Sequence, residues 1–159
     1  VFKTPADNRT DYIKRVIGLP GDIVQFIEGD LYINNIKIQK TLINKKDTLY
    51  CGSHKLDVST YNEKLQSGKV YQISYRNDVS LGNTQKYKVP LKHYFFLGDN
   101  RDCSKDSRFL TSVGYVHRNN LVGKAQFLFF SSDKSKGSIF AFWKWGETIR
   151  LERFFKKIN

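Results

Sequence analysis

The sequence predicts a mainly β fold, a complex of antiparallel sheets with a smaller β lobe inserted between its ends. Three observations predict it. Apolar runs are short and of strand length, turn-forming pairs rich in Gly, Asn and Asp separate them, and almost no segment has helical periodicity. Tyr12 to Ile17 is the first run, closed by the turn Gly18-Leu19-Pro20-Gly21-Asp22. Ile23 to Ile27 follows, turned by Glu28-Gly29-Asp30, and Leu31 to Ile33 and Ile36 to Ile38 flank Asn34-Asn35. That dipeptide tolerates the positive φ of a tight hairpin. Further strands are predicted over Lys69 to Tyr75, Gln85 to Val89, Tyr94 to Leu97, Leu121 to Phe130 and Ile139 to Trp143. A weak helical pattern covers Glu147 to Lys157. Residues 40–85 are more polar and less regular than their flanks and are expected to be an inserted lobe or a set of long hairpins, with residues 31–89 the lobe and residues 1–30 with 90–159 the core.

The 159 residues are 40% hydrophobic, enough for a folded domain, and no stretch reaches the roughly 18 apolar residues that cross a bilayer. Met is absent and the chain opens Val1-Phe2-Lys3-Thr4-Pro5, which is expected of a processed or trimmed N-terminus. A net charge of +12 admits nucleic acid, anionic lipid or acidic protein as partners. The basic residues are spread along the chain, which equally fits a genome biased toward Lys, Asn and Ile. Cys51 and Cys103 allow either one disulfide or two free thiols. His54, His93 and His117 lie far apart and no Cys-x-x-Cys pair occurs, which argues against zinc.

Two segments carry chemistry. In Asp11-Tyr12-Ile13-Lys14-Arg15-Val16-Ile17, strand alternation puts Lys14 on the side of Tyr12 and Val16, and Arg15 on the side of Ile13 and Ile17. An inward Lys loses hydration, which disfavours its charged form. To act as a base near neutral pH it must drop about two units, on the order of 3 kcal/mol. The other reading of this segment is an edge strand with two solvated bases. The second segment, Gly98-Asp99-Asn100-Arg101-Asp102-Cys103-Ser104-Lys105-Asp106-Ser107-Arg108, is a loop launched from an apolar strand. It fails as a calcium loop, because Arg101 and Cys103 stand where oxygen ligands are needed and no Glu closes it. It fails as a catalytic triad for want of a suitably placed His. By itself it reads as a polar turn with an Asp106–Arg108 ion pair.

Taken together, the two segments closely resemble the paired signatures of bacterial type I signal peptidases. Val113 to Ala125 resembles the family's continuation, and Val1 to Pro5 the tail of a preceding motif. Residues 31–89 match only in kind, as the family's variable region. The resemblance implies a membrane-anchored serine/lysine endopeptidase on the outer, periplasmic face of the cytoplasmic membrane. It would remove signal peptides from exported preproteins and use no cofactor. It implies Lys14 as general base and Ser104 as the hydroxyl that orients it. It further implies supporting ion pairs Asp106–Arg108 and Arg15–Asp99, and substrate binding along Asp11, Tyr12 and Ile13. The family's nucleophilic Ser, in a Ser-Met-x-Pro motif, is not among these residues, so the 159 residues alone are expected not to cleave. Phe140 to Trp145, aromatic and followed by basic residues, fits either an anionic membrane surface or an ordinary core strand. Rival readings are a non-catalytic paralogue, a self-cleaving Ser/Lys protease, and a basic β module for single-stranded nucleic acid. The last would leave both ordered signatures as coincidence, and no nucleic-acid partner is expected.

Overall fold

In the computed structural model, residues 1–78, 82–129 and 151–158 are described. Residues 1–122 form one compact unit and 123–159 a second.

The first unit is a set of small antiparallel sheets. β1 (Phe2–Lys3) pairs with β2 (Asp11–Tyr12), matching Phe2 to Tyr12. β3 (Arg15–Gly18) pairs with β11 (His93–Leu97), and β11 also pairs with β12 (Val116–His117). β4 (Ile23–Ile27), β5 (Asp30–Ile33), β6 (Ile36–Lys37) and β10 (Tyr87–Lys88) form a four-stranded sheet in the order β10-β4-β5-β6. The Asn34-Asn35 turn closes β5 onto β6 with both residues at positive φ, as a tight hairpin requires. The third large element is a sheet in the order β7-β8-β9, made of β7 (Gln39–Cys51), β8 (His54–Lys64) and β9 (Val70–Arg76). The long β7–β8 ribbon is a long hairpin of the kind expected within residues 40–85. Its strands look irregular in sequence because most of their side chains face solvent and two register shifts break the alternation.

Two apolar clusters hold the unit together. The larger joins Ile17, Val24, Phe26, Leu31, Ile33 and Ile38 to Tyr71, Ile73, Tyr75, Val89, Phe95 and Leu97. It therefore draws on residues from 1–30, from 31–89 and from 90–122 alike. The smaller contains Phe2, Phe96, Val113 and Val116, with Tyr12 and Tyr94 against it. β11 separates them: Phe95 and Leu97 enter one cluster and Phe96 the other, following the two-residue period of a strand. A strand buried on both faces is a stiff support, and the Gly98 loop leaves from its end.

In the second unit, β13 (Phe127–Leu128) pairs with β14 (Lys156–Lys157), and the Phe129 and Phe155 rings meet edge-on at 6.0 Å. The helix expected up to Lys157 is corrected here. Leu151–Arg153 is a single 3-10 turn, Phe155 has φ +54°, and the chain then enters β14. A phenylalanine at positive φ cannot continue a right-handed helix. Of the strand expected over Leu121 to Phe130, only Phe127–Leu128 pairs, beside an isolated bridge from Leu121 to Phe2. Phe130, Ile139 to Trp143, the aromatic Phe140 to Trp145 and Glu147 to Arg150 lie outside the described residues. Among the described residues no helix is long and apolar enough to cross a membrane.

Candidate active site

The β3–β11 register decides which side chains meet. Leu97 lies opposite Arg15 in an antiparallel pair, so the chain leaving β11 at Gly98 runs past Lys14. Gly98 has no room for a side chain. A Cβ there would sit 2.0 Å from Ser104 Oγ, 2.3 Å from Ser104 Cβ and 3.4 Å from Lys14 Nζ. Absence of that one carbon lets the Ser104 hydroxyl and the Lys14 amine converge over the Gly98 backbone. Ser104 Oγ is buried and has no hydrogen-bond partner among the described residues. A hydroxyl in that state is costly unless another group completes it.

Lys14 lies in a break between β2 and β3 and is half-buried, with Nζ 5.6 Å from the centre of the Tyr12 ring. The expected shared face with Tyr12 is seen, but Val16 is exposed and contributes no cover. Residues 13 and 14 are not in strand, so alternation does not carry through from Tyr12 to Val16. Desolvation by burial is the main reason the Lys14 pKa is lowered, and Arg108 lowers it further; Asp106 and Asp99 act in the opposite sense. Arg15 does not sit in bulk water either. Its guanidinium stacks on the Tyr71 ring at 4.0 Å and grips Asp99 with two bonds of 2.8 and 2.9 Å.

The loop that delivers Ser104 is braced from several sides. Asp106, fully buried, accepts from the Gly98 N–H at 3.0 Å and from Arg108 Nε and Nη2 at 2.8 and 2.9 Å. Ser107 returns to β11, its hydroxyl accepting from the Phe96 N–H at 2.9 Å and its own N–H donating to the Phe96 carbonyl. Asp99 and Arg101 bond to both sides of Ser74 on β9, and Asp102 accepts from the Arg76 N–H at 2.7 Å. The acids thus meet arginines and peptide N–H groups, which keeps them from pairing directly with Lys14.

Of two further ties, the sequence hid one and left the other open. Glu63 and Arg101, both 1% exposed, form a buried ion pair, with Tyr71 donating to Glu63 at 2.5 Å. Cys51 and Cys103 form a disulfide, which resolves the open alternative between bridge and free thiols. No local signal announces either one: the partners are 38 and 52 residues apart. The residues expected to bind substrate, Asp11, Tyr12 and Ile13, immediately precede Lys14 in the chain. Asp11 is exposed and paired with Lys3 at 3.2 Å, Tyr12 rests on Phe2, and Ile13 is 66% exposed. Among the described strands β2 pairs only with β1. The described residues contain no cluster able to hold a metal ion.

The profile of the family described as "Signal peptidase, peptidase S26" matches residues 1–130. The chain belongs to this family. It is 40% identical to Signal peptidase I of Rickettsia typhi (strain ATCC VR-144 / Wilmington) and 39% identical to that of Rickettsia prowazekii (strain Madrid E). In both cases the match covers 99% of this chain and 63% of the relative, so the chain spans less than two thirds of their length. Signal peptidase I of Rickettsia bellii (strain OSU 85-389) is 39% identical, with 58% of its length covered. Among solved structures, a signal peptidase I from Enterococcus faecalis V583 matches 78% of this chain and 91% of its own, at 23% identity and a TM-score of 0.41. The family's two signature segments, 11–22 and 98–108, are those that converge at Gly98.

Proposed function

We propose that the protein containing this chain is a serine endopeptidase that removes signal peptides from exported preproteins, with Lys14 as its general base. One observation carries the reading: a partly dehydrated amine and a buried, unpartnered hydroxyl share the space above Gly98. A neutral amine accepts a proton from a serine hydroxyl, and the alkoxide then attacks the scissile carbonyl carbon. The resulting ammonium returns that proton to the leaving amine. On this reading Ser104 Oγ accepts one N–H of Lys14, which leaves the nitrogen lone pair aimed at the reactive serine hydroxyl. Asp106–Arg108 and Arg15–Asp99 support that geometry. Positioned proton transfer of this kind contributes about 10²–10⁴ in rate.

The substrate enters as an extended strand on the open edge of β2, with Asp11, Tyr12 and Ile13 supplying backbone bonds and shallow pockets. The Ser-Met-x-Pro motif is not among these 159 residues, which contain no Met, and the serine that Lys14 serves is what the test below locates. The substrate is drawn from the secretory pathway, so the site works at the outer face of the cytoplasmic membrane, where anionic lipid would attract a basic chain.

The test compares three samples on a purified preprotein. The full-length protein should process it, and its Lys14→Ala variant and the isolated 159 residues should not. Processing by full-length Lys14→Ala would remove the base assignment. Processing by the isolated fragment that is lost on Lys14→Ala would show that the nucleophile lies within these residues.

A further inference from the structure

We propose that Glu63, which lies outside both signature segments, is a positioning residue that holds Lys14 and Ser104 in place relative to each other. The inference rests on the base role proposed for Lys14.

Glu63 sits on β8, 1% exposed, with both carboxylate oxygens in use. Oε1 accepts from Arg101 Nη1 at 3.1 Å, and Oε2 accepts from Arg101 Nη2 and from the Tyr71 hydroxyl. Arg101 Nη1 also donates to the Tyr75 hydroxyl at 3.1 Å. Burying two charges carries a large desolvation penalty, and apolar side chains of similar size often stabilise a fold as well or better. Stability alone therefore gives little reason for this pair. Its geometry gives another.

Two arms leave the carboxylate. The first runs through Arg101, whose N–H donates to the Ser74 carbonyl and whose own carbonyl accepts from Arg108. Arg101 is part of the loop that presents Ser104. The second runs through Tyr71, whose ring carries the Arg15 guanidinium at 4.0 Å. Arg15 adjoins Lys14 and is tied to Asp99. One carboxylate thus anchors the loop that bears the hydroxyl and, through Arg15 at the start of β3, the residue next to the amine. The groups facing Lys14 are Tyr12 from β2 and Asp99, Asp106 and Arg108 from the loop, and the loop groups depend on that anchorage for their position. If the anchor slackens, water reaches Lys14, its ammonium is better solvated, and the base works only at higher pH.

The double variant Glu63→Gln/Arg101→Met, made in the full-length protein, tests this. It removes one charge of each sign, so the net charge is unchanged, and Gln keeps an acceptor for Tyr71. The variant should unfold cooperatively by circular dichroism and cleave a preprotein about 10- to 100-fold more slowly in kcat, the cost of roughly ångström-scale misplacement. KM should stay within about twofold, because the substrate strand is not touched, and the acid limb of the rate profile should move to higher pH. A folded variant with unchanged kcat and an unchanged acid limb overturns the proposal. If the double variant does not fold, Tyr71→Phe decides: it removes one hydroxyl and keeps the ring under Arg15. It should move kcat and the acid limb in the same directions by less, and an unaltered profile overturns the proposal. Lys14→Ala separates this inference from the base assignment. Cleavage that survives Lys14→Ala sinks both, whereas loss of cleavage there beside normal kinetics in the Glu63 variant sinks only this one.

Discussion

Two polar stretches, joined by one disulfide, are held in opposite ways. The loop from Gly98 to Arg108 buries Arg101, Ser104, Asp106 and Ser107. The outer part of the β7–β8 ribbon, residues 43–57, contains no buried residue. The loop starts from a strand covered on both faces and bonds back to Ser74, Arg76 and Phe96. Beyond Val58 the ribbon has lost its third strand, because the β8–β9 ladder ends at the Val58–Arg76 pair. Among the described residues it is held by the two strands' own ladder, side-chain bonds of Thr60 to Asp47 and of Ser59 to Lys45, contacts of Asn77 with Ser59, Asp57 and Lys45, and the Cys51–Cys103 bridge at the tip. A two-stranded ribbon without an apolar face is marginal in water. Polarity in a sequence therefore does not place a segment at the surface. A polar segment is buried where each of its charges and peptide groups finds a partner, and it stays outside where they do not.

That contrast can be broken or sharpened by substitution. The largest effect is expected for Asp106→Ala, which strands Arg108 and the Gly98 N–H in the interior. Removal of one member of a buried pair costs about 3–5 kcal/mol, and urea unfolding of the described chain would measure it. A loss below about 1 kcal/mol, the scale of an exposed pair, would erase the difference between loop and ribbon.

Replacing both cysteines with serine comes next, at about 2–4 kcal/mol for a bridge closing a long stretch of chain. Its signature should be regional. Hydrogen exchange should quicken in residues 43–57 and stay slow in β9, since β9 packs Tyr71, Ile73 and Tyr75 into the core. Equal acceleration in both would mean that the ribbon is not a separately tethered part.

Gly98→Ala forces the Ser104 side chain to shift, and overpacking of that kind costs about 1–3 kcal/mol. In the full-length protein it should also abolish processing, because it occupies the space where hydroxyl and amine meet.

The smallest effect concerns pH. Lys14 has its pKa lowered in the fold, chiefly by burial, from an ordinary 10.5. Between the lowered value and 10.5 the unfolded chain binds more protons than the folded one, so stability rises with pH across that window. Lys14→Met should remove that rise. Urea midpoints from pH 7 to 10 check it, and a parallel pH dependence in the variant would mean that Lys14 is as hydrated as a surface lysine.

Much of the architecture was legible in single segments. The strands expected at 23–27, 31–33, 69–75 and 94–97 announce themselves as short apolar runs bounded by turn residues, and Asn34-Asn35 through its turn chemistry. Lys14, Arg15, Asp99, Ser104, Asp106 and Arg108 stand out only as parts of two ordered signatures. Within residues 40–85 the sequence pointed to long hairpins without placing their strands, because exposed strands leave no apolar alternation, and the C-terminal helix was misjudged because a local pattern says nothing about a strand partner nearly thirty residues away.

The sequence by itself determined the local elements and the two chemical segments, because strand periodicity, turn residues and motif order are properties of neighbours in the chain. Only the tertiary structure decided that Lys14 meets Ser104 over a bare glycine, that Glu63 reaches Arg101, and that Cys51 finds Cys103. Each of these depends on the register of distant strands and on the exclusion of water. Neither is encoded in any single stretch of residues.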